Sequence, residues 1–462
     1  MNRRSFISGT SKAALGLAAA PFLYNGRLFG GEMATSKLNV ACIGMGGQMN
    51  NLLLPDLSKF QDKMNIIAIC DLDPNQINNA RKNFPEVLAG TKEYQDYREL
   101  LKREKSLDAV VIASPDHWHA ALSVAAMQTG KHVYCEKPLT HTVGEARQIA
   151  ALAKRSKVVT QTGNQGSASP NFRRSLEVIQ AGVLGSVNEV HIWHPPHGWP
   201  NGADRPAGAD PLPAGFDWDF WLGPAPLRPF KSGIYHPGAW RGWFDFGGGS
   251  LADFCCHAFS LPVRALKLDY PDRIEVSRTP PSEDSFPHSA KIHFAFPARG
   301  DRGPVSIYFY TGGDKPCSAL PSGEVTAGMV ETFGEIPSTG CLLVGDQGTL
   351  SAGLWNNDFY LKLKGEAKFK GPQHQAAVSI PQTLPRAPQN NHMLEWLEAC
   401  RGQGKTFSPF EIGGHVTEIG AAGLVALRLG RDIDWDGPAM KAKGQPETAA
   451  WIKAQHRDKW GV

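Results

Sequence analysis

Two residues four positions apart, Asp253 and His257, are the clearest candidates for chemistry in this sequence. Side chains with this spacing share one face of a helix. A carboxylate beside an imidazole can fix the tautomer of the ring, and histidine titrates near neutral pH, so the pair suits general acid–base catalysis. A capping pair or a hydrogen-bonded core pair has the same spacing, and both interpretations remain open at this stage.

A candidate nucleotide site stands near the start of the chain, in the stretch 39–47. An apolar segment of strand length runs there into Gly44 and Gly46, the first two glycines of a G-x-G-x-x-G pattern whose third position is Met49. Such a turn lets a pyrophosphate approach the backbone at a helix N-terminus. A glycine turn in an ordinary βαβ unit, with no nucleotide, is the alternative.

The second apolar segment, 66–70, favours the nucleotide because it ends in Asp71, placed to accept hydrogen bonds from an adenosine ribose. Asp71 follows Gly44 by 27 residues, and the polar insert 55–63 accounts for the length. Because a carboxylate there repels a 2′-phosphate, we predict NAD, with NADP less favoured. The predicted contacts are Gly44, Met45, Gly46, Gly47, Gln48 and Asp71.

Strand and helix patterns alternate through residues 37–165, which predicts a doubly wound parallel sheet of the Rossmann type. The predicted helices are 75–84, 94–104, 120–129 and 143–156, and the later strands are 107–113, 132–135 and 158–162. Polar residues follow the carboxyl ends of these strands, where open α/β sheets bind ligands. Further cofactor contacts are therefore predicted at Ser114, Pro115, His117, His119, Glu136, Lys137 and Asn164.

From about residue 166 the pattern changes to strands separated by loops rich in Gly, Pro and Trp, which favours a largely antiparallel open sheet. Strands are predicted at 186–193, 290–296 and 305–311, and helices at 172–181, 391–401 and 414–429. The proline-rich segment 194–240 is long enough to suggest a functional loop. We predict an α/β chain with a dinucleotide-binding domain at 35–165, a substrate and oligomerisation domain at 166–440 and a tail at 441–462.

The first residues resemble a twin-arginine export signal, because Arg3-Arg4 precede a short apolar run at 13–23. We therefore expect residues 1–34 to direct the protein through the twin-arginine machinery to the periplasm or another exported location. Arg3, Arg4, Lys12 and Arg27 carry four positive charges, equal to the formal net charge of +4. The rest of the chain gives no reason to expect a nucleic-acid partner or a membrane span, and its cysteines read as free core thiols.

Four motifs follow one another as in the Gfo/Idh/MocA family of nicotinamide-dependent oxidoreductases, which the chain resembles. They are Gly44-Met-Gly46, Ser114-Pro-Asp-His-Trp-His119, Cys135-Glu-Lys-Pro138 and the segment 247–257. The resemblance implies an open sheet that forms an oligomer interface, and often a cis bond before Pro138. It also places the family's Lys-Asp-His catalytic set on Lys137, Asp253 and His257. The histidine would accept a proton from a substrate hydroxyl, and the lysine would hold that oxygen.

Tryptophans in and beside the long loop favour a carbohydrate or polyol substrate, because aromatic faces stack on the apolar faces of sugar rings. The expected substrate contacts are Trp118, Lys137, Gln165, His194, Trp240, Arg241 and His257. His191, His194 and His197 raise a zinc alternative, but a spacing of three does not put side chains on one face of a strand. We expect no metal.

Two functions fit these features. One is an NAD-dependent oxidoreductase acting on a CH-OH group of a sugar, polyol or glycoside. The other is a glycosidase that oxidises a sugar transiently, eliminates the aglycone and reduces the sugar again. The glycosidase branch's Pro-Thr-His segment is absent here, which favours the oxidoreductase. Export implies in either case that the dinucleotide stays tightly bound.

Overall fold

The computed structural model describes residues 36–195, 198–312, 320–453, 456–457 and 459–460. The predicted export signal, with Arg3 and Arg4, lies outside these ranges. The first sheet has six strands in the order β3-β2-β1-β4-β5-β6, all paired in parallel. The strands are β1 Leu38–Ile43, β2 Met64–Cys70, β3 Lys92–Tyr94, β4 Ala109–Ile112, β5 His132–Glu136 and β6 Thr160–Gly163. This order is the one found in dinucleotide-binding domains, so the predicted Rossmann-type sheet is confirmed.

The helices of this domain cover both faces of the sheet, which leaves its central strands buried throughout, as in parallel sheets generally. They are α1 Leu54–Leu57, continuing a π-helical turn at Met49–Leu53, then α2 Pro74–Asn83, α3 Tyr97–Arg103, α4 Asp116–Gln128 and α5 Val143–Arg155. A capping box between Thr142 and Glu145 starts α5.

In the first domain, two helices begin three or four residues away from their predicted starts. The helix predicted to begin at residue 120 begins at Asp116, because Pro115 takes the extended backbone conformation of an N-cap and so starts the helix directly after the strand. The helix predicted from residue 94 begins at Tyr97, because Tyr94 belongs to the short edge strand β3. The first difference matters for the site, since it puts His117 and His119 in the first turns of α4.

The second sheet has nine strands in the order β13-β12-β11-β7-β10-β9-β8-β14-β15. Only β7 and β10 pair in parallel, so the predicted, largely antiparallel sheet is confirmed. Its strands are β7 Val187–His194, β8 Arg273–Arg278, β9 Ala290–Phe296, β10 Val305–Thr311, β11 Gly340–Gly345, β12 Gly348–Ser351, β13 Tyr360–Leu363, β14 Ile433–Asp436 and β15 Lys441–Ala442.

The remaining helices pack on both faces of this sheet and against the first domain. They are α6 Pro170–Gln180, α7 Trp218–Leu222, α8 Gly249–Ala258, α9 Ser260–Ala265, α10 Met329–Phe333, α11 Gln375–Val378, α12 His392–Cys400, α13 Phe410–Leu429 and α14 Ala449–Ile452. The largest core cluster joins α8, α9 and α13 to the inward side chains of β9 and β10. This packing fixes the position of helix α8, and its polar residues remain available to the site.

Helix α12 returns to the first domain. Its Met393, Leu394, Trp396 and Leu397 belong to the same buried cluster as residues of β1 and β2. Phe410, the first residue of α13, likewise lies in the cluster on the other side of the first sheet. The first domain is thus completed by residues more than 200 positions after its last strand.

The seven cysteines within the described ranges are buried and unpaired, in agreement with free core thiols. In the same ranges no helix combines the length and the apolar character needed to cross a bilayer. Lys137-Pro138 is a cis peptide bond, as the resemblance implied, and His236-Pro237 is a second one.

Candidate active site

A cleft of about 420 Å³ runs along the carboxyl edge of the first sheet. One wall comes from the glycine turn after β1 and from the ends of β2, β4 and β5. The opposite wall comes from the long loop between β7 and α8. The lining includes Gly44, Gly46, Gly47, Gln48, Asp71, Ser114, Pro115, Asp116, Trp118, His119, Glu136, Lys137, Trp240 and Arg241.

The glycine turn fits a dinucleotide. Gly44 has φ of +83°, and a Cβ there would lie 2.6 Å from the carbonyl oxygen of Ala113, so only glycine is accommodated. Gly46 lines the cleft and has nothing within 4 Å of an added Cβ, which means that its bare backbone faces open space. A pyrophosphate can approach the backbone at this point. Met45 is fully buried beneath the turn, so only its backbone is available to a ligand.

Asp71 lies at the end of β2, where the ribose carboxylate of such folds belongs. Its Oδ2 accepts a hydrogen bond from the backbone N–H of Met45 at 2.5 Å, and its Oδ1 accepts one from Asp73 at 2.8 Å. Burial raises the pKa of Asp71 despite these two bonds. The carboxylate therefore ties the glycine turn to the start of α2 and keeps lone pairs for a further donor.

Residues 215–241, here called the cover segment, close the outer side of the cleft. His236 Nε2 lies 2.8 Å from Asp73 Oδ2, and Gln95 Nε2 donates to the carbonyl of Gly215 at 2.9 Å. Burial acts to raise the pKa of Asp73, but the hydrogen bonds from His236, Asn75 and Gln76 together outweigh burial and lower it. The cover segment is thus attached to the first domain at both of its ends.

Trp221 attaches the middle of the cover segment. Its carbonyl accepts a hydrogen bond from Trp118 Nε1 at 3.0 Å and lies 3.0 Å from His117 Nε2. The other ring nitrogen of His117 faces the carbonyl of Phe246 at 3.3 Å. His117 was predicted to contact the cofactor, but the structure places its ring against these loops, outside the lining of the cleft. The cause is its place inside the first turn of α4, which turns the ring away.

Lys137 and Asp253 meet at the inner end of the cleft. Lys137 Nζ donates to Asp253 Oδ1 at 2.7 Å, and both side chains are 14% exposed. Burial alone would lower the pKa of Lys137, but the carboxylate outweighs burial and raises it. Burial alone would raise the pKa of Asp253, but Lys137 and Arg241 outweigh it and lower it. Both groups are therefore held in their charged forms.

His257 follows one helical turn after Asp253 on α8, as the spacing predicted. Its Nδ1 is buried and has no hydrogen-bond partner among the described residues. Burial, with Lys137 as the next cause, lowers the pKa of His257 to about 3. The expected carboxylate–imidazole bond is not found, because Asp253 bonds to Lys137. His257 is thus a neutral, available proton acceptor beside a fixed charge pair.

Two further charged residues reach the same end of the cleft. Arg241 Nε lies 3.6 Å from Asp253 Oδ1, and its guanidinium packs over the Trp240 ring at 4.2 Å. Asp116 was missed by sequence reasoning. It is 4% exposed, lines the cleft and accepts a bond from the Gly248 N–H at 3.3 Å. Burial raises the pKa of Asp116 well above its usual range. Its place before the two predicted histidines was the only signal in the sequence.

Other predicted site residues support the cleft, and two of them, Gln165 and Asn164, do not line it themselves. Gln165 Nε2 donates to Glu136 Oε1 at 2.6 Å, and burial raises the pKa of Glu136. Asn164 Nδ2 donates to Ser260 Oγ at 3.3 Å, behind the lining. His119 faces the carbonyls of Pro138 and Ser114 at 2.6 and 2.8 Å, so it fixes the loop that carries Lys137.

His194 lies on the substrate side. Its ring stacks on Phe254 with 3.8 Å between centroids, and Phe254 in turn lies 6.0 Å from Lys137 Nζ. His191, which the zinc alternative paired with it, instead contacts Tyr310 and Glu189. His197 lies outside the described residues.

Comparison with known proteins gives two matches to sequence models of one family, GFO_IDH_MocA. Residues 38–164 match "Oxidoreductase family, NAD-binding Rossmann fold", and residues 178–298 match "Oxidoreductase family, C-terminal alpha/beta domain". The chain is 29% identical over 161 residues to the inositol 2-dehydrogenase of Salmonella typhimurium, covering 35% of this chain and 46% of that protein. It is 32% identical over 135 residues to a glycosyl hydrolase family 109 protein of Shewanella pealeana, covering 27% and 28%. The matched region thus spans less than half of either relative.

The fold as a whole matches a crystal structure of an inositol dehydrogenase homologue from Azotobacter vinelandii, complexed with NADH and myo-inositol. The TM-score is 0.58 at 17% sequence identity, over 87% of this chain and 99% of that one. At this identity the likeness concerns the fold alone.

Proposed function

The chain belongs to the Gfo/Idh/MocA oxidoreductase family, with its NAD-binding Rossmann domain, and from this membership and the site we propose that it oxidises a CH-OH group of a sugar, polyol or glycoside. The observation that carries the proposal is the Lys137–Asp253 pair, 2.7 Å apart, at the inner end of a cleft whose other end is the glycine turn. His257 follows on the same helix. Lys137 thus lines the same cleft as the dinucleotide cradle, Asp253 bonds to Lys137 without lining the cleft, and His257 is buried one helical turn further along α8.

His257, Lys137 and Asp253 each have a separate role in the proposed reaction. His257 is neutral at physiological pH and takes the proton of the substrate hydroxyl. Lys137 stays charged and donates a hydrogen bond to the same oxygen, which stabilises the negative charge that develops on it. Asp253 holds Lys137 in place. A bound nicotinamide would supply the hydride acceptor, and Gly44, Gly46, Gly47 and Asp71 are the residues placed to hold the dinucleotide.

Tight retention of the dinucleotide is part of the proposal. The cover segment is fastened to the first domain by the His236–Asp73 and Gln95–Gly215 bonds, so a nucleotide in the cleft lies beneath it. Export through the twin-arginine route, proposed from Arg3-Arg4, requires such retention, because the coenzyme is not expected to be recycled outside the cytoplasm. Each turnover must then return the nicotinamide to its starting state, by reducing a second sugar or the same one.

A second candidate is the NAD-dependent glycosidase, which the partial similarity to a family 109 glycosyl hydrolase favours. The buried position of Asp116 in the cleft is a specific observation that favours the glycosidase. Elimination needs an acid for the leaving group, and the cleft is lined by the Asp116 carboxyl, whose pKa burial raises well above its usual range.

Self-association through the open sheet is also proposed. On its outer face His293 and Tyr308 stack with 4.4 Å between ring centroids, and His191 stacks on Tyr308 at 5.0 Å. His293 and Tyr308 are half-buried and His191 is buried, and such a row of rings suits a protein interface better than a solvated surface.

One experiment separates the two activities. The purified protein, with its own dinucleotide, is incubated with a panel of sugars and glycosides while absorbance at the NADH maximum is recorded and the products are identified by mass spectrometry. Oxidised sugar, together with either reduced nicotinamide or an equal amount of a reduced second sugar, supports the oxidoreductase. Released aglycone with no net change in nicotinamide supports the glycosidase. Neither signal with any compound would overturn the proposed function.

A further inference from the structure

Trp355 is out of place on the surface of this protein. Its side chain is 45% exposed, and among the exposed large hydrophobic residues of the described ranges it is the only aromatic one. Single exposed aliphatic residues, such as Leu227, are normal and need no explanation. An exposed indole that is held rigidly beside a catalytic cluster does need one.

The loop between β12 and β13 holds this indole firmly. Asn356 is fully buried with φ of +56°, and its Nδ2 donates hydrogen bonds to the carbonyls of His257 and Ala258. Asn357 offers its carbonyl to Ser169 and Asn171. The two residues that follow Trp355 are therefore fixed, and one of the fixed points is the backbone of His257 itself.

The same loop packs closely against the turn that contains Gly166. A Cβ on Gly166 would lie 1.9 Å from the carbonyl oxygen of Trp355, so only a glycine lets the loop lie against the turn that carries Gln165. The loop thus sits between the turn from the first domain and helix α8 from the second.

Phe254 connects the indole to the reacting groups. The Phe254 ring meets Trp355 edge to face, with 6.3 Å between centroids, and the same ring lies 6.0 Å from Lys137 Nζ. Phe254 therefore contacts the indole on one side and lies next to the Lys137 ammonium on the other, so two side-chain contacts connect Trp355 to the Lys137–Asp253 pair. Aromatic faces of this kind stack on the apolar faces of pyranose rings.

We propose that Trp355 is the platform of an outer sugar subsite, so that the substrate is a glycoside or an oligosaccharide whose second ring or aglycone lies on the indole. The inference rests on the proposed function, and it narrows the substrate class from any sugar or polyol to one with a substituent beyond the oxidised ring. A free monosaccharide fills the inner site only.

The test compares pairs of compounds that differ only in this substituent. Glucose, cellobiose and 4-nitrophenyl glucoside are used first, followed by the galactose and N-acetylglucosamine sets. The rate of reduction of the bound nicotinamide, measured in single turnovers against substrate concentration, gives an apparent half-saturation constant, here called KM. It is measured for each compound in the wild type, Trp355→Ala, Trp355→Phe and Val378→Ala, a control at a side chain that is 52% exposed and outside the lining of the cleft. The ratio of KM for the glycoside to KM for the monosaccharide should rise about tenfold in Trp355→Ala, the size of one stacking contact. Trp355→Phe should restore much of the ratio, and Val378→Ala should not change it.

An unchanged ratio in Trp355→Ala overturns the inference while leaving the proposed function intact. So does an equal rise of both KM values together with a change in oligomeric mass by light scattering, since the indole would then be buried against a second copy. If no compound is turned over, the proposed function fails separately. Saturation-transfer NMR with cellobiose, lactose and chitobiose then tests the subsite directly. Binding that is lost in Trp355→Ala supports it, and binding that persists or is absent in the wild type overturns it.

Discussion

The Nζ of Lys137 lies 2.7 Å from Oδ1 of Asp253, a bond between residues 116 positions apart in the sequence. Lys137 follows the last residue of β5 in the first domain, whereas Asp253 belongs to α8 in the second. The bond therefore positions the lysine across the domain boundary. It also assigns Asp253 a different partner from the one its spacing to His257 suggested.

Asp253→Asn should consequently act through Lys137. Without the carboxylate, burial and the positive charge of Arg241 remain, and both lower the pKa of the lysine. We expect activity to decline with rising pH at a lower pH than in the wild type. The loss at neutral pH should be smaller than the roughly 100- to 1,000-fold that removing an oxyanion-stabilising donor costs. Rates of reduction of the bound nicotinamide between pH 6 and 10 measure the shift, and an unshifted alkaline limb would contradict this role.

His257→Ala should remove most turnover while dinucleotide content stays near one per chain. General acid–base groups contribute roughly 100- to 10,000-fold, and the side chain does not line the dinucleotide end of the cleft. Single-turnover reduction of the bound nicotinamide gives the loss, and chromatography of the released nucleotide gives the content. Near-normal rates with a good substrate would remove His257 from the mechanism. A loss of nucleotide would indicate a structural role.

The pH dependence of the wild type should lack an acid limb near the ordinary pKa of histidine. Burial depresses the pKa of His257 to about 3 in the folded protein, so the neutral, proton-accepting ring persists as pH falls through 6.5. Below pH 6.5 the unfolded chain binds a proton at this residue that the folded chain does not, so the histidine contributes to a decrease in stability toward pH 3. We expect kcat/KM to stay level to about pH 5 wherever circular dichroism shows a folded protein. A titration near 6.5 in folded protein would show that the ring is accessible to water.

The bound coenzyme should be NAD. Asp71 lines the ribose end of the cleft, and a carboxylate at this position disfavours a 2′-phosphate. Asp71→Ser should weaken this discrimination. It should also loosen the glycine turn, because the shorter serine side chain weakens or loses the hydrogen bond from the Met45 N–H. Extraction and mass spectrometry of the dinucleotide provide the check. A predominance of NADP in the wild type would mean that the strand-end carboxylate does not select the coenzyme.

His236→Ala should speed the loss of dinucleotide on dialysis. The variant removes the bond between the cover segment and Asp73, and a hydrogen bond to a charged group is worth enough to change the rate about tenfold. Leu227→Ala, on the same segment and 67% exposed, is the matched control. If the wild type itself releases its dinucleotide readily and needs added NAD for activity, either tight retention or export must be abandoned.

The sequence predicted what depends on local pattern. The buried runs of β4 and β5, the glycine turn at Gly44 and the helical spacing of Asp253 and His257 all follow from periodicity and backbone sterics. The prediction places the start of α4 at residue 120, four residues too late. Pro115 ends the preceding strand, but a proline just before a helix is also a common start signal.

What depends on distant contacts was not predictable in this way. The partner of Asp253, the buried carboxyl of Asp116 and the attachment of His236 to Asp73 all join residues that lie far apart in the sequence, and no local spacing specifies them. Trp355 is the same kind of case. Its position beside Phe254 follows from how β12 and β13 pack against α8, and only the folded chain brings them together.

The return of α12 to the first domain has a consequence for synthesis. Met393, Leu394, Trp396 and Leu397 fill the core behind β1 and β2, and the cover segment above the cleft is also made well after β6. When the ribosome has synthesised β1 to β6, it has therefore not yet synthesised α12, which packs behind the site, or the cover segment, which closes it. The coenzyme can therefore be bound only when nearly the whole polypeptide has been synthesised, and we expect a chain that ends before residue 392 not to bind it.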